Sequence, residues 1–165
     1  MLGFKAMCAL AVLAIPVCAS AKAPVMPPVY TFSERDDDDS RTCALSSASA
    51  IDAVNSALQA NGVALATRKE SLGRGAISAY INLASLPLQG ASSDCAISIN
   101  LTFEKAIMMA KPGNKKRQAE MVKFCDRGYL MTSAPESAVR KVNGHLEQFV
   151  ADCVREYLMV GLRRS

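Results

Sequence analysis

Cys95-Ala-Ile-Ser-Ile-Asn-Leu-Thr-Phe103 alternates without a slip: Ile97, Ile99, Leu101 and Phe103 take every second position, and Ser98, Asn100 and Thr102 lie between them. That is the period of a strand buried on one face. Upstream, Ile77, Ala79, Ile81 and Leu83 repeat it, and the turn residues of Leu88-Gln-Gly-Ala-Ser-Ser-Asp94 separate the two runs, so they are expected to form an antiparallel pair. A strand pair with one apolar side is not stable alone. The cover must come from helices elsewhere in the chain.

Two segments have the spacing to supply it. Leu45, Ala48, Ile51, Val54 and Leu58 recur every three or four residues ahead of Asn61-Gly62, predicting a helix from about Thr42 to Asn61 with a narrow, Ala-rich face. After the pair, Ser133-Ala-Pro-Glu136 reads as a capping box with an early proline. Val139, Val142, Leu146, Phe149, Val150, Cys153, Val154, Tyr157 and Leu158 then hold helical spacing as far as Gly161. The expected class is α+β: an antiparallel sheet of about three to five strands, covered on one face by an N-terminal and a longer C-terminal helix.

The N-terminus describes an address. Lys5 is followed by an uncharged run from Ala6 to Ile15, then Pro16 and the small-residue exit Ala19-Ser20-Ala21, the form of a cleaved secretory signal over residues 1–21. Its apolar run is too short to span a bilayer, and no later stretch reaches about 20 uncharged apolar residues, so no stable membrane insertion is expected once the signal is gone. Residues 22–39, with Pro24, Pro27, Pro28 and the run Glu34-Arg-Asp-Asp-Asp-Asp39, read as a flexible Pro-rich and acidic leader. Residues 40–165 are left as a single domain. The aspartates suit the positive end of a helix capped by Ser40 or Thr42 better than a calcium loop, whose ligands are spaced and which needs a glycine.

Cys43, Cys95, Cys125 and Cys153 remain after the signal, an even number in a chain sent to an oxidising compartment, and two disulfides are expected. Three pairings are open. Cys43 with Cys95 and Cys125 with Cys153 is preferred because it tethers each helix to the segment beside it, although spacing does not settle the matter. The cysteines lie too far apart for the C-x-x-C pairs of a structural zinc site. No metal or other cofactor is implied.

Between the strand pair and the last helix the pattern changes. Lys105 breaks the alternation, which signals a bulge, and Lys111-Pro-Gly-Asn114 signals a turn. Gln118 to Asp126 fits helix or strand. Gly128 is expected to end that segment, with a short strand Tyr129 to Thr132 after it. Val63 to Thr67 alternates weakly as a short edge strand, and Gly73-Arg-Gly75 reads as a turn.

Composition narrows function more by exclusion than by motif. The formal charge of +4, less that of Lys5, is too mild for a nucleic-acid partner. The one basic cluster, Lys115-Lys-Arg117 with Lys123, lacks the interleaved aromatics of a stacking surface. His145 is the only histidine and borders the apolar stripe of its helix, with no carboxylate three or four residues away. It is the candidate for a small exported hydrolase or toxin. Met108, Met109, Met121 and Met131 raise a different possibility, a carrier holding an apolar ligand between sheet and helix, although methionines commonly fill core gaps. The leading expectation is a small disulfide-stabilised protein, periplasmic or secreted. It would act by binding another protein in the cell envelope or outside the cell, as an inhibitor, immunity factor or assembly accessory.

Overall fold

The chain runs β1 (Val29–Ser33), α1 (Asp38–Thr42), α2 (Ser47–Ala60), α3 (Arg68–Ser71), β2 (Ile77–Pro87), β3 (Cys95–Ala110), β4 (Arg117–Ser133) and α4 (Pro135–Leu162). The computed structural model describes residues 25–71, 77–90, 93–110 and 117–162. The two alternating runs are neighbours, as their pattern requires: β2 and β3 are antiparallel, with Ile81 opposite Leu101 and Leu83 opposite Ile99. β4 returns antiparallel along the other side of β3, giving a four-stranded sheet in the order β1-β2-β3-β4.

β1 departs from expectation in two ways. It lies within the supposed leader, so the domain begins well before position 40. It also pairs parallel to β2, Val29 opposite Ile77, which makes the sheet mixed rather than wholly antiparallel. Parallel neighbours need a long connection between them, and α1, α2 and α3 are that connection. Val29 and Thr31 point to the helix side and are buried, which gives five residues enough reason to order.

The helices cover one face only. Val29, Ile77, Ala79, Ile81, Ile97, Ile99, Leu101 and Phe103 stand beneath the Ala53, Val54 and Leu58 stripe of α2 and the Val142, Leu146, Val150 and Val154 stripe of α4. α2 packs on β1 and β2, α4 packs on β3 and β4, and the two helices touch each other along their length. The long C-terminal helix thus lies where its spacing predicted. Its start differs in detail: the Ser133 hydroxyl meets that of Ser137 at 2.8 Å instead of a backbone N–H.

The first helix is broken in two. Ala44 sits at φ 56°, a left-handed conformation uncommon for a residue with a side chain. It turns the chain between α1 and α2 instead of letting a helix run on from Thr42. The acidic run does cap, but from its own side chains. Asp37 accepts from the Ser40 N–H at 2.7 Å at the head of α1, while Asp36 accepts from the Ser47 N–H at 2.7 Å at the head of α2. Ser46 is the N-cap residue of α2, and Gly62, at φ 74°, follows its C-cap Asn61.

Both disulfides follow the preferred pairing. Cys43 joins Cys95, tying the crossover to the start of β3, and Cys125 joins Cys153, tying β4 to α4. The bulge announced by Lys105 lies one step earlier, between Phe103 and Glu104, where β4 carries one extra residue, Phe124. Its ring lies tilted between those of Phe103 and Tyr157, at 5.9 and 5.3 Å. Gln118 to Asp126 is strand, and Gly128 does not break it: β4 runs through to Ser133 with Gly128 opposite Asn100. A Cβ at Gly128 would come within 3.4 Å of the Asn100 Nδ2 atom, so the missing side chain leaves room for that amide. Val63 to Thr67 forms only a single bridge, Leu65 to Val29. The Gly73-Arg-Gly75 and Lys111-Pro-Gly-Asn114 turns, Lys115, Lys116 and the signal segment lie outside the described residues.

Candidate interaction surface

His145 does not meet a carboxylate. Its ring stacks on Tyr129 of β4 with centroids 4.1 Å apart and lies 6.1 Å from Phe149, half-buried as an amphipathic filler between α4 and the sheet edge. A general base needs a partner and a substrate within hydrogen-bond reach, and the aromatic neighbours offer neither. Asp126 and Asp152 are engaged elsewhere. Asp126 accepts from Asn100 Nδ2 at 2.8 Å and Thr102 Oγ1 at 3.1 Å, with Lys123 at 3.6 Å. The Asn100 amide, followed by Thr102 and Lys123, holds the Asp126 carboxyl below the ordinary carboxylate value. Such a group is a weak base and no acid at neutral pH. Arg127 pairs with Glu156, and Asp152 with Arg155.

The carrier reading fares no better. Where α2, α4 and β2 meet, the gap lined by Leu45, Ala50, Leu83 and Val142 does not admit a water molecule. A shallow depression of about 220 Å³ exists, but on the opposite face, among Ala84, Leu86, Ala96 and Leu130. That is less than the roughly 300–1,000 Å³ of a small-molecule site. Of the four methionines, only Met131 packs against the core; Met108, Met109 and Met121 are exposed.

Those three define a feature that no sequence period announced. β2 begins at Ile77 opposite Lys105, so residues 106–110 of β3 and 117–121 of β4 continue as a two-stranded arm with no third strand among the described residues. At about 3.4 Å per residue it extends about 17 Å past the sheet. Register places Ala106 with Met121 and Met108 with Ala119 on one side, and Ile107 with Glu120 and Met109 with Gln118 on the other. Met121 is 53% exposed, and Met109 and Val122 are 43% and 40% exposed. The signal available in sequence was the unbroken run Ala106-Ile-Met-Met-Ala110, too apolar for a solvent loop.

Among the described residues nothing covers the sheet face opposite the helices. At one end Tyr30, Phe32 and Tyr80 lie ring by ring, 5.9 and 5.1 Å apart. The Tyr80 hydroxyl donates to Glu34 at 2.6 Å, and that bond, with lesser burial and charge contributions, raises the phenol above its usual pKa. Asn82, Asn100 and Gly128 form the middle row, and Leu86 and Leu130 stand at the far end, 59% and 73% exposed.

No helix among the described residues is long and apolar enough to cross a membrane. No family model matches the chain, and no curated protein does. Among solved structures the chain is similar to the crystal structure of a minor lipoprotein from Acinetobacter baumannii, with 14% identity and a TM-score of 0.40, over 81% of this chain and 96% of that one.

Proposed function

We propose that the protein is exported with loss of residues 1–21 and works in the envelope or outside the cell by binding another protein, as an inhibitor, immunity factor or assembly accessory. The β3–β4 arm is the contact element. The carrying observation is the exposure of Met108, Met109 and Met121 on a ribbon beside which no third strand lies among the described residues. Exposed apolar side chains grouped on a projecting element mark interaction sites, and methionine adapts to partners of varied shape. The two disulfides support the location, since such bonds persist in oxidising compartments.

The test is a photo-crosslinking amino acid placed at Met109 or Met121 in producing cells, with Arg140 on the exposed side of α4 as the control position. A discrete adduct containing one second protein is expected from the arm positions and not from Arg140. Equal labelling from all three sites, or none from the arm, refutes the assignment. His145→Gln should leave the adduct intact.

A further inference from the structure

Oxidisable sulfur is gathered on the arm. Cys43, Cys95, Cys125 and Cys153 are all closed in disulfides, so the described residues hold no free thiol to meet an oxidant. Thioethers are then the soft nucleophiles that remain. Met26 is sealed in the core at 4% exposure and Met131 packs against it. Met108, Met109 and Met121 stand exposed together on the ribbon, and Met159 is exposed near the end of α4. We propose that Met108, Met109 and Met121 form an oxidation site, where a peroxide converts the thioethers to sulfoxides and so switches off the contact made by the arm. The switching rests on the function proposed above; the site itself does not.

The step needs only the peroxide. A sulfur lone pair attacks one oxygen of hydrogen peroxide, and the S–O bond forms as the O–O bond breaks. The departing hydroxide takes the proton from the sulfur-bound oxygen and leaves as water. Sulfur has lost an electron pair and the peroxide has gained it. Sulfoxide reductases reverse the change for both epimers, with a dithiol becoming a disulfide and the oxygen leaving as water.

Placement makes the change consequential. Register sets Met121 opposite Ala106 and Met108 opposite Ala119, so the two thioethers share one side of the ribbon on a diagonal with alanines at the other corners. Diagonal neighbours lie about 7–8 Å apart, and a methyl group is all that those corners carry. Met109 belongs to the opposite side. A sulfoxide is polar where the thioether was apolar, so oxidation alters both sides of the arm together. The fold is spared, because its core is drawn mainly from Val, Ile, Leu, Phe and Ala side chains that peroxide does not attack. Leucine at the three arm positions would keep the apolar contact and remove the susceptibility.

The site is tested on the purified, disulfide-bonded protein. Limiting hydrogen peroxide followed by peptide mass spectrometry should find an added oxygen on Met108, Met109, Met121 and the exposed Met159 several-fold faster than on Met131 or Met26. Circular dichroism should stay unchanged. Oxidation of Met26 or Met131 at the arm's rate, or unfolding in step with arm oxidation, overturns the proposal. The switch is tested in producing cells with the photo-crosslinking amino acid at Ala119, an exposed position on the arm. A brief peroxide pulse should remove most of the adduct. The triple variant Met108→Leu, Met109→Leu, Met121→Leu should retain it through the pulse, and Met159→Leu alone should give no protection. An adduct that survives complete oxidation of the arm, or one lost equally from the triple variant, overturns the switch. If untreated cells give no adduct, the contact reading itself has failed, and the peptide map alone then decides whether the arm is the oxidation site.

Discussion

Thr31 is the residue that fits its place least well. It lies on the helix side of β1, 8% exposed, and its hydroxyl has no hydrogen-bond partner among the described residues. A buried hydroxyl without a partner has lost its water and gained nothing in return. Thr31→Val keeps the shape and removes that cost, so it should raise stability by about 1 kcal/mol, read as a higher urea midpoint at an unchanged slope. Asp126 has the opposite character, with its carboxylate favoured by the Asn100 amide. A lowered folded-state pKa stabilises the fold above the unfolded-state value and loses that contribution as pH falls through the folded one. Asn100→Ala should therefore be less stable than wild type at neutral pH, and the gap should narrow on acidification below Asp126's ordinary 3.8. Urea midpoints at the two pH values check it; a constant gap would show that the amide acts through packing alone. The capping aspartates were legible as a class but not by number, because sequence shows a run of acids and only backbone geometry selects Asp36 and Asp37. Residues 68–70 read as polar loop in sequence, yet they open a short helix, α3, with its own cap. Thr67-Arg-Lys-Glu70 is a capping box, with Glu70 accepting from the Thr67 N–H and hydroxyl at the head of α3.

Among elements, α4 was the most legible because many residues vote for one face. Phe149→Ala should cost about 3–5 kcal/mol and Leu146→Ala about 2–5, since both side chains sit in the helix–sheet interface. Thermal or urea unfolding measures this, and unchanged midpoints would contradict the packing. β3 and β2 were legible for the same reason, their period being enforced by burial on one side. β1 was hidden by its length: five residues among prolines give too few alternations to outweigh a leader composition. β4 was hidden by the bulge, where Phe124 and Cys125 both turn toward the helices and interrupt the period. Gly128 misled because glycine usually punctuates a strand, whereas here it makes space for Asn100 across the ladder. The arm left a trace in composition, but whether Met108 and Met109 face a core or solvent depends on where β2 begins, and that is a tertiary fact.

At the scale of the molecule, the two cross-links hold the single helical layer to the sheet, one at the crossover and one at α4. Replacing Cys125 and Cys153 by serine should cost about 2–4 kcal/mol, and the Cys43 and Cys95 pair somewhat more, because its separation of 52 residues against 28 leaves a larger loop free in the unfolded chain. Urea titrations of the two double variants decide the order. The fold class was open to sequence reasoning because a half-buried sheet needs helical cover. The surface was not, since exposed side chains obey no period.

The linkage pattern has a consequence for biogenesis. Each bond joins a cysteine to the next one along the chain, Cys43 to Cys95 and Cys125 to Cys153. On the export proposed above, a polypeptide threaded outward from its N-terminus presents these thiols in that sequence, so a catalyst that simply couples successive arrivals generates the native set. Cells lacking a disulfide-reshuffling enzyme should still accumulate correctly bridged protein, whereas loss of the primary oxidant should abolish it.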